Sequence, residues 1–452
     1  MKNKDKNYFF LILIHVVIGL VIFWKPFLSK YYGILILLIG FFFVIKTKNR
    51  NNEVLYASAY IVGAEVFLRM TFGNILYEFG KYGVIIFVIL GMLYSGFSKR
   101  AMPYWIFLLL LIPGIIIATA TLDLGTDIRK TIIFNISGPI CLGIASLYTF
   151  GRKVTVEELN NILLLLGLPI ISCVIYVSLY TPELKTILLG NNSSNPETSG
   201  GFGPNQVSTV LGLGMFIFFS RLLFNSQTKI LFAINLVIGL VMSYRGLLTF
   251  SRGGMITGFL MFIILFLFVY MNSLNKQKLK LNYMIAFFVV ILFSIFIFSE
   301  NMTGGLISKR YSNQDAMGRT KVSKFSGREE IAQNEINAFL DHPFFGIGVA
   351  KGLELRLAQT GSTVASHDEI TRMLAEHGSL GILGLLILFF TPIILYLDNR
   401  QHIFMFCFLT FWLLTINHAA MRTSMPAFVY SLSILKITFN EKEDIIYREQ
   451  II

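Results

Sequence analysis

From end to end, the chain alternates between apolar runs long enough to form spanning helices and short polar, often basic, breaks. A helix that crosses a bilayer needs about 20 predominantly apolar residues. Runs of this kind are predicted near 8–24, 32–46, 82–97, 104–120, 131–149, 162–180, 207–224, 229–243, 254–272, 283–299, 379–397 and 402–418. Two weaker runs, 54–76 and 419–435, contain Glu65 with Arg69, and Arg422, respectively. The pattern predicts an all-α fold, a polytopic transmembrane helical bundle of about 12–14 spans. Two breaks are too long to be simple connections. One covers 181–206 and is rich in Asn, Ser and Gly; the other covers 300–378 and carries patterns for short helices. The chain therefore divides into N-terminal transmembrane helices (1–180), a first loop (181–206) and central transmembrane helices (207–299). A large loop (300–378) and C-terminal transmembrane helices with a tail (379–452) follow.

Composition agrees. Of 452 residues, 55% are hydrophobic and 14% charged, whereas a soluble protein carries about 25% charged residues. The formal net charge of +13 would suggest nucleic acid in a soluble chain, but no such partner is expected here. The basic clusters at 2–6, 46–50, 98–100, 152–153, 276–280 and from Lys436 onward all fall on one side of the alternating crossings. Short loops on that side hold about twice as many Lys and Arg as those opposite, which orients it toward the cytoplasm. Counting both weak runs gives an even number of crossings, so both termini are expected to be cytoplasmic and both long loops non-cytoplasmic. Cys141, Cys173 and Cys407 sit within apolar runs without paired spacing, so neither a disulfide framework nor a metal site is suggested.

Charges inside a span are costly and usually face a protein interior or a wet cavity. Glu65 and Arg69, spaced i, i+4, can pair on one helix face; a structural ion pair and a substrate contact are both open for them. Gly254 and Gly258, also i, i+4, allow close helix packing.

The large loop holds the candidate chemistry. SGREEIAQNEINAFLDHPFFGIG reads as a helix and its stop, with Ser326 and Glu329 as a capping box, Arg328 in the first turn, and Pro343, Gly346 and Gly348 closing it. SHDEITRMLAEHG (366–378) has the same grammar: Ser366 as N-cap, Glu369 as its partner, His367 first in the helix, and Gly378 after its end. The positive helix end disfavours imidazolium, which suits His367 to general-base work. Arg372 can pair with Asp368 or Glu376. His377 is a weaker candidate. His15, His402 and His418 read as packing or interfacial residues, and His342 as part of the helix stop. In LLTFSRGGMITGFL (247–260), Arg252 ends a loop-side break next to two glycines. A lone arginine at a membrane interface is usually a snorkelling anchor; with Arg328 its guanidinium equally suits the oxygens of a diphosphate.

SRGG (251–254), GREEI (327–331), DHPFFGIGVA (341–350) and SHDEITRMLAEHG (366–378) together resemble the bacterial O-antigen ligase and polymerase family of membrane glycosyltransferases, over about residues 200–400. The resemblance implies a donor glycan on undecaprenyl diphosphate at the outer leaflet of the bacterial inner (cytoplasmic) membrane. It makes His367 the base that deprotonates an acceptor hydroxyl, with Arg252 and Arg328 on the diphosphate. Transfer would be inverting, without metal or cofactor. Asn205, in GFGPNQ, is similar to a recurrent asparagine of the family; Arg69, Glu65 and Arg422 are further possible substrate contacts. Asp368 departs from the family's usual asparagine, and Ala332 from a frequent aromatic. The acceptor, whether glycan, lipid or protein, stays open, so a polymerase, a ligase or a protein O-oligosaccharyltransferase fits. A lipid-linked glycan flippase would share the spans but would not need the capped helices carrying His367 and Arg328.

Overall fold

The protein is described by a computed structural model covering residues 3–123, 125–181, 193–320, 328–361 and 366–438. The all-α bundle expected from the pattern is present. Among the described residues, ten helices are long and apolar enough to cross a membrane, joined by the shorter apolar helices Phe79–Ser95 and Met405–Ile416. Helices Asn3–Trp24, Leu28–Thr47 and Asn275–Met302 present long rows of exposed apolar side chains, such as Phe42, Leu38 and Val290. Such surfaces are stable only against lipid tails. The run 104–120 forms two helices, Met102–Leu110 and Ile112–Thr121.

The two weak runs differ from expectation in an informative way. Helix Glu53–Met70 stops before 76, is buried along nearly its whole length, and packs on Leu28–Thr47, Phe79–Ser95 and Val156–Tyr180. It carries Glu65 because protein, rather than lipid, surrounds it. In 419–435 only Met425–Leu432 is helical. The preceding strip, 418–424, is irregular backbone tied to neighbouring chain. Glu65 accepts from the Ser424 amide at 2.7 Å and its hydroxyl at 2.6 Å. Irregular backbone at this depth is tolerated where protein supplies its partners.

Helices Pro204–Phe224 and Arg252–Asn272 pack closely. Glycine makes this possible: a methyl group at Gly254 would fall 2.3 Å from the Ser208 carbonyl carbon, and one at Gly258 2.2 Å from the Gly212 carbonyl oxygen. These pairings (208 with 254, 212 with 258) run in the same sense, so both N-termini emerge together at the end of the bundle that bears the large loop, here the loop face. One unpredicted element is a two-stranded parallel patch pairing Lys153–Thr155 with Lys436–Thr438. Thr155 then caps helix Val156–Tyr180 in a full capping box with Glu158.

Candidate functional site

The large loop docks through its glycines. Helix Arg328–Asp341 ends just before Pro343, and the turn through Gly346 (φ 73°) lies against the break in Glu369–Asp398 at Gly378 (φ 60°). A side chain on either residue would strike backbone across the joint: at Gly378 a methyl would lie 2.7 Å from the Gly346 nitrogen, and at Gly346 2.5 Å from the Ala375 oxygen. Four bonds close the joint: Ile347 N–H to Ala375 O (2.8 Å), Gly348 N–H to Glu376 O (3.3 Å), Ser379 N–H to Pro343 O (2.7 Å) and Ala350 N–H to the Glu376 carboxylate (2.9 Å). Gly378 divides a short loop-face helix from the membrane helix below it, as its sequence position suggested.

The cap differs from expectation. The N-cap is Asp368, whose carboxylate accepts from the Ile370 (2.8 Å) and Thr371 (3.4 Å) amides, and the helix begins at Glu369. Ser366 is not the cap, and His367 precedes the helix by two residues. Ser366 is instead committed to tertiary contact, with its hydroxyl 3.1 Å from the Glu335 carboxylate. Ser326, of the other expected capping box, lies outside the described residues. Arg372 pairs with Glu369 and reaches Glu376 at 3.9 Å; of the two partners expected, Glu376 is found, whereas Asp368 gives place to Glu369.

The strip 418–424 gathers the candidate residues on one shelf. At one end Asn205 Nδ2 makes a long 3.5 Å bond to His418 O, while Asn205 Oδ1 accepts from the Ser251 hydroxyl at 2.8 Å. The His418 ring packs on Gly253, with Nε2 3.1 Å from Thr209 Oγ1. Arg252, beside this point, donates to Arg310 O at 3.3 Å. Two residues on, the Ala420 amide donates to His367 O at 3.0 Å. At the far end Arg422 donates to Ser366 O at 2.8 Å, and Arg69 to Arg422 O at 3.2 Å. Arg69 also binds Glu65 (2.8 Å) and Glu78 (3.3 Å). Glu65, Arg69, Asn205, Arg252, His367 and Arg422 thus belong to one connected arrangement. Arg328 opens helix Arg328–Asp341, but its side chain lies outside the described residues.

The electrostatics of this shelf favour anions at the Arg252 end. Two helix N-termini, Pro204–Phe224 and Arg252–Asn272, emerge side by side there, and each is equivalent to about half a positive charge. At the other end a cavity of about 930 Å³ opens between the helix starts at 76–82 and 127–135, the large loop and Arg422. Glu335 forms part of its wall and joins three loop segments, accepting from Arg356 (3.0 Å), Ser366 (3.1 Å) and Thr371 (2.6 Å). Burial pushes its carboxyl above the ordinary carboxylate range, against the pull of those three donors and of Arg372. Among the described residues, no His, Cys, Asp and Glu group has the arrangement to hold a metal ion.

Residues 237–389 match the O-antigen ligase family. The match supports the O-antigen ligase and polymerase family. With the membrane helices, it supports a multi-pass membrane protein of glycosyltransferase type. The matched stretch of the O-antigen ligase domain holds Arg252, Arg328 and His367; Glu65, Arg69, Asn205 and Arg422 lie outside it. No curated protein matches the chain.

Sequence reasoning missed Glu335, Arg356, Thr371 and His418. The first three meet only through tertiary docking. His418 carries no local pattern that separates a site histidine from a packing one.

Proposed function

We propose that the protein transfers a glycan from undecaprenyl diphosphate to an acceptor hydroxyl, at the outer leaflet of the bacterial inner membrane, with both termini cytoplasmic. His367 is the general base, and Arg252 and Arg328 receive the diphosphate. The observation that carries this reading is the shelf, where one strip of backbone holds His367 next to an anion-favouring pair of helix ends. The acceptor oxygen attacks the anomeric carbon as its proton passes to His367, and the bond to the diphosphate oxygen breaks with inversion. Diphosphate is a good leaving group, and paired guanidinium and helix-end charge stabilise it without a metal. Asn205 holds the SRGG turn through Ser251; Glu65 and Arg69 hold the strip from beneath.

The test is His367→Ala in the native host, with protein abundance and lipid-linked and surface glycans measured. Transfer is expected to fall by about 10²–10⁴-fold, the usual contribution of a general base. Long chains stranded on the carrier would identify a ligase, and single repeats at the surface a polymerase. Normal glycans at normal abundance would remove His367 as the base.

A further inference from the structure

We propose that the cavity beyond Arg422 is the acceptor subsite, and that it takes a sugar bearing an anionic group close to the attacking hydroxyl. This rests on the function proposed above. The order along the shelf supplies the geometry. His418 meets Asn205 at the Arg252 end, Ala420 holds His367, and Arg422 lines the cavity. His367 therefore stands between the two. In a single displacement the nucleophile enters opposite the leaving group, so a diphosphate at the Arg252 end requires the acceptor from the Arg422 end.

The cavity walls fit a sugar. At about 930 Å³ it has the size of a small-molecule site. Tyr77 and Phe134 line it with rings 5.7 Å apart and inclined at 50°, apolar faces suited to the C–H side of a pyranose. Glu78 also lines it; one carboxylate oxygen is taken by Lys81 at 2.8 Å, and the other, although buried, has no hydrogen-bond partner among the described residues. A sugar hydroxyl would satisfy that oxygen, which is costly to leave bare.

The charge at the mouth selects further. Arg129 and Lys130 line the cavity, are exposed, and have no side-chain partner among the described residues. They lie in the first turn of helix Ile128–Thr149, where the helix dipole already repels cations. A bound anion relieves both unfavourable terms, whereas a neutral sugar relieves neither. A carboxylate and a phosphate ester share this chemistry.

The experiment uses the full-length protein in native membrane vesicles, with donor extracted from the host as its lipid-linked glycan and acceptor from a strain lacking the protein. KM for each is measured in wild type and in Arg129→Glu/Lys130→Glu, and turnover alone in His367→Ala. The charge reversal is expected to raise acceptor KM about tenfold or more, the scale of placing like charges together at an interface, with donor KM unchanged. In wild type, acceptor KM should also rise with ionic strength, a readout that does not depend on the variant folding. Carbodiimide amidation of the acceptor should reproduce the rise if the group is a carboxylate, and phosphatase treatment if it is a phosphate monoester. An unchanged acceptor KM, insensitive to salt and to both treatments, would overturn the proposal and make Arg129 and Lys130 lipid anchors. A rise in donor KM instead would hand the cavity to the donor and also overturn it. Full turnover by His367→Ala would overturn the catalytic reading alone, because the KM comparison does not use that variant.

Discussion

Glu335→Ala isolates what holds the catalytic segment in place. Glu335 is 3% exposed and Arg356 5%, so the substitution takes a carboxylate partner from a buried guanidinium. Removing one partner of a buried pair costs about 3–5 kcal/mol. Ser366 can still donate to Asp368 O at 3.2 Å, but Thr371 loses its 2.6 Å acceptor. The cost falls on docking of the large loop onto 366–371 rather than on the membrane bundle, which does not use this carboxylate. Amide exchange across 366–377 should therefore accelerate by about 10²–10⁴-fold, since each 1.36 kcal/mol is tenfold, and transfer should fall in parallel. Glu335→Gln should be milder: the amide keeps an acceptor oxygen for Thr371 and Ser366, and burial already raises the carboxyl's pKa by penalising its charged form. For the same reason docking in the wild type is strongest below the ordinary carboxylate range and weakens as pH rises through the folded value; Gln should abolish that slope. Glu335→Ala/Arg356→Ala should cost less than the sum of the single changes, because the two side chains are in direct contact and their loss is shared. Unchanged exchange at 366–377 in Glu335→Ala, with full activity, would refute the reasoning.

Other outcomes follow from the same contacts. Asp368→Ala should cost about 1 kcal/mol of loop-helix stability by thermal unfolding, whereas Asp368→Asn should be near neutral because both side chains cap equally well; this makes the departure from the family's asparagine a conservative one. Gly254→Val should separate helices Pro204–Phe224 and Arg252–Asn272 and destabilise by at least about 1–3 kcal/mol, read as loss of protein from detergent extracts on mild heating; normal abundance and activity would contradict the packing described. Glu354 is pushed up by partial burial, but Lys351, Thr126 and the Asp123 amide outweigh this and lower its pKa. The tie between helix Lys351–Thr360 and the 123–126 turn should thus persist above the ordinary glutamate value and loosen as pH falls through the folded one. Proteolytic nicking near 351–360 that rises in acid, and not in Glu354→Gln, would check it.

The helical spans and much of the local grammar of the large loop were legible in the sequence, because each depends on residues close together in the chain. Apolar run length dictates crossing, and Pro343, Gly346 and Gly378 dictate stops. The spacing of Gly254 and Gly258 announced a close helix contact without naming its partner. Even local grammar erred where tertiary contact competed: Ser366 is a sound cap by sequence, yet Glu335 takes its hydroxyl and Asp368 caps instead. Hydropathy treated 54–76 and 419–435 as poor spans for want of the knowledge that protein surrounds them.

What only the tertiary structure decided is which distant residues meet. The strip 418–424 carries no motif, yet it joins Asn205, Arg252, His367 and Arg422 because Glu65, in a helix more than 350 residues earlier, binds the Ser424 amide and hydroxyl. Such partnerships depend on how helices pack around one another, and a buried carboxylate will take whichever donors that packing delivers.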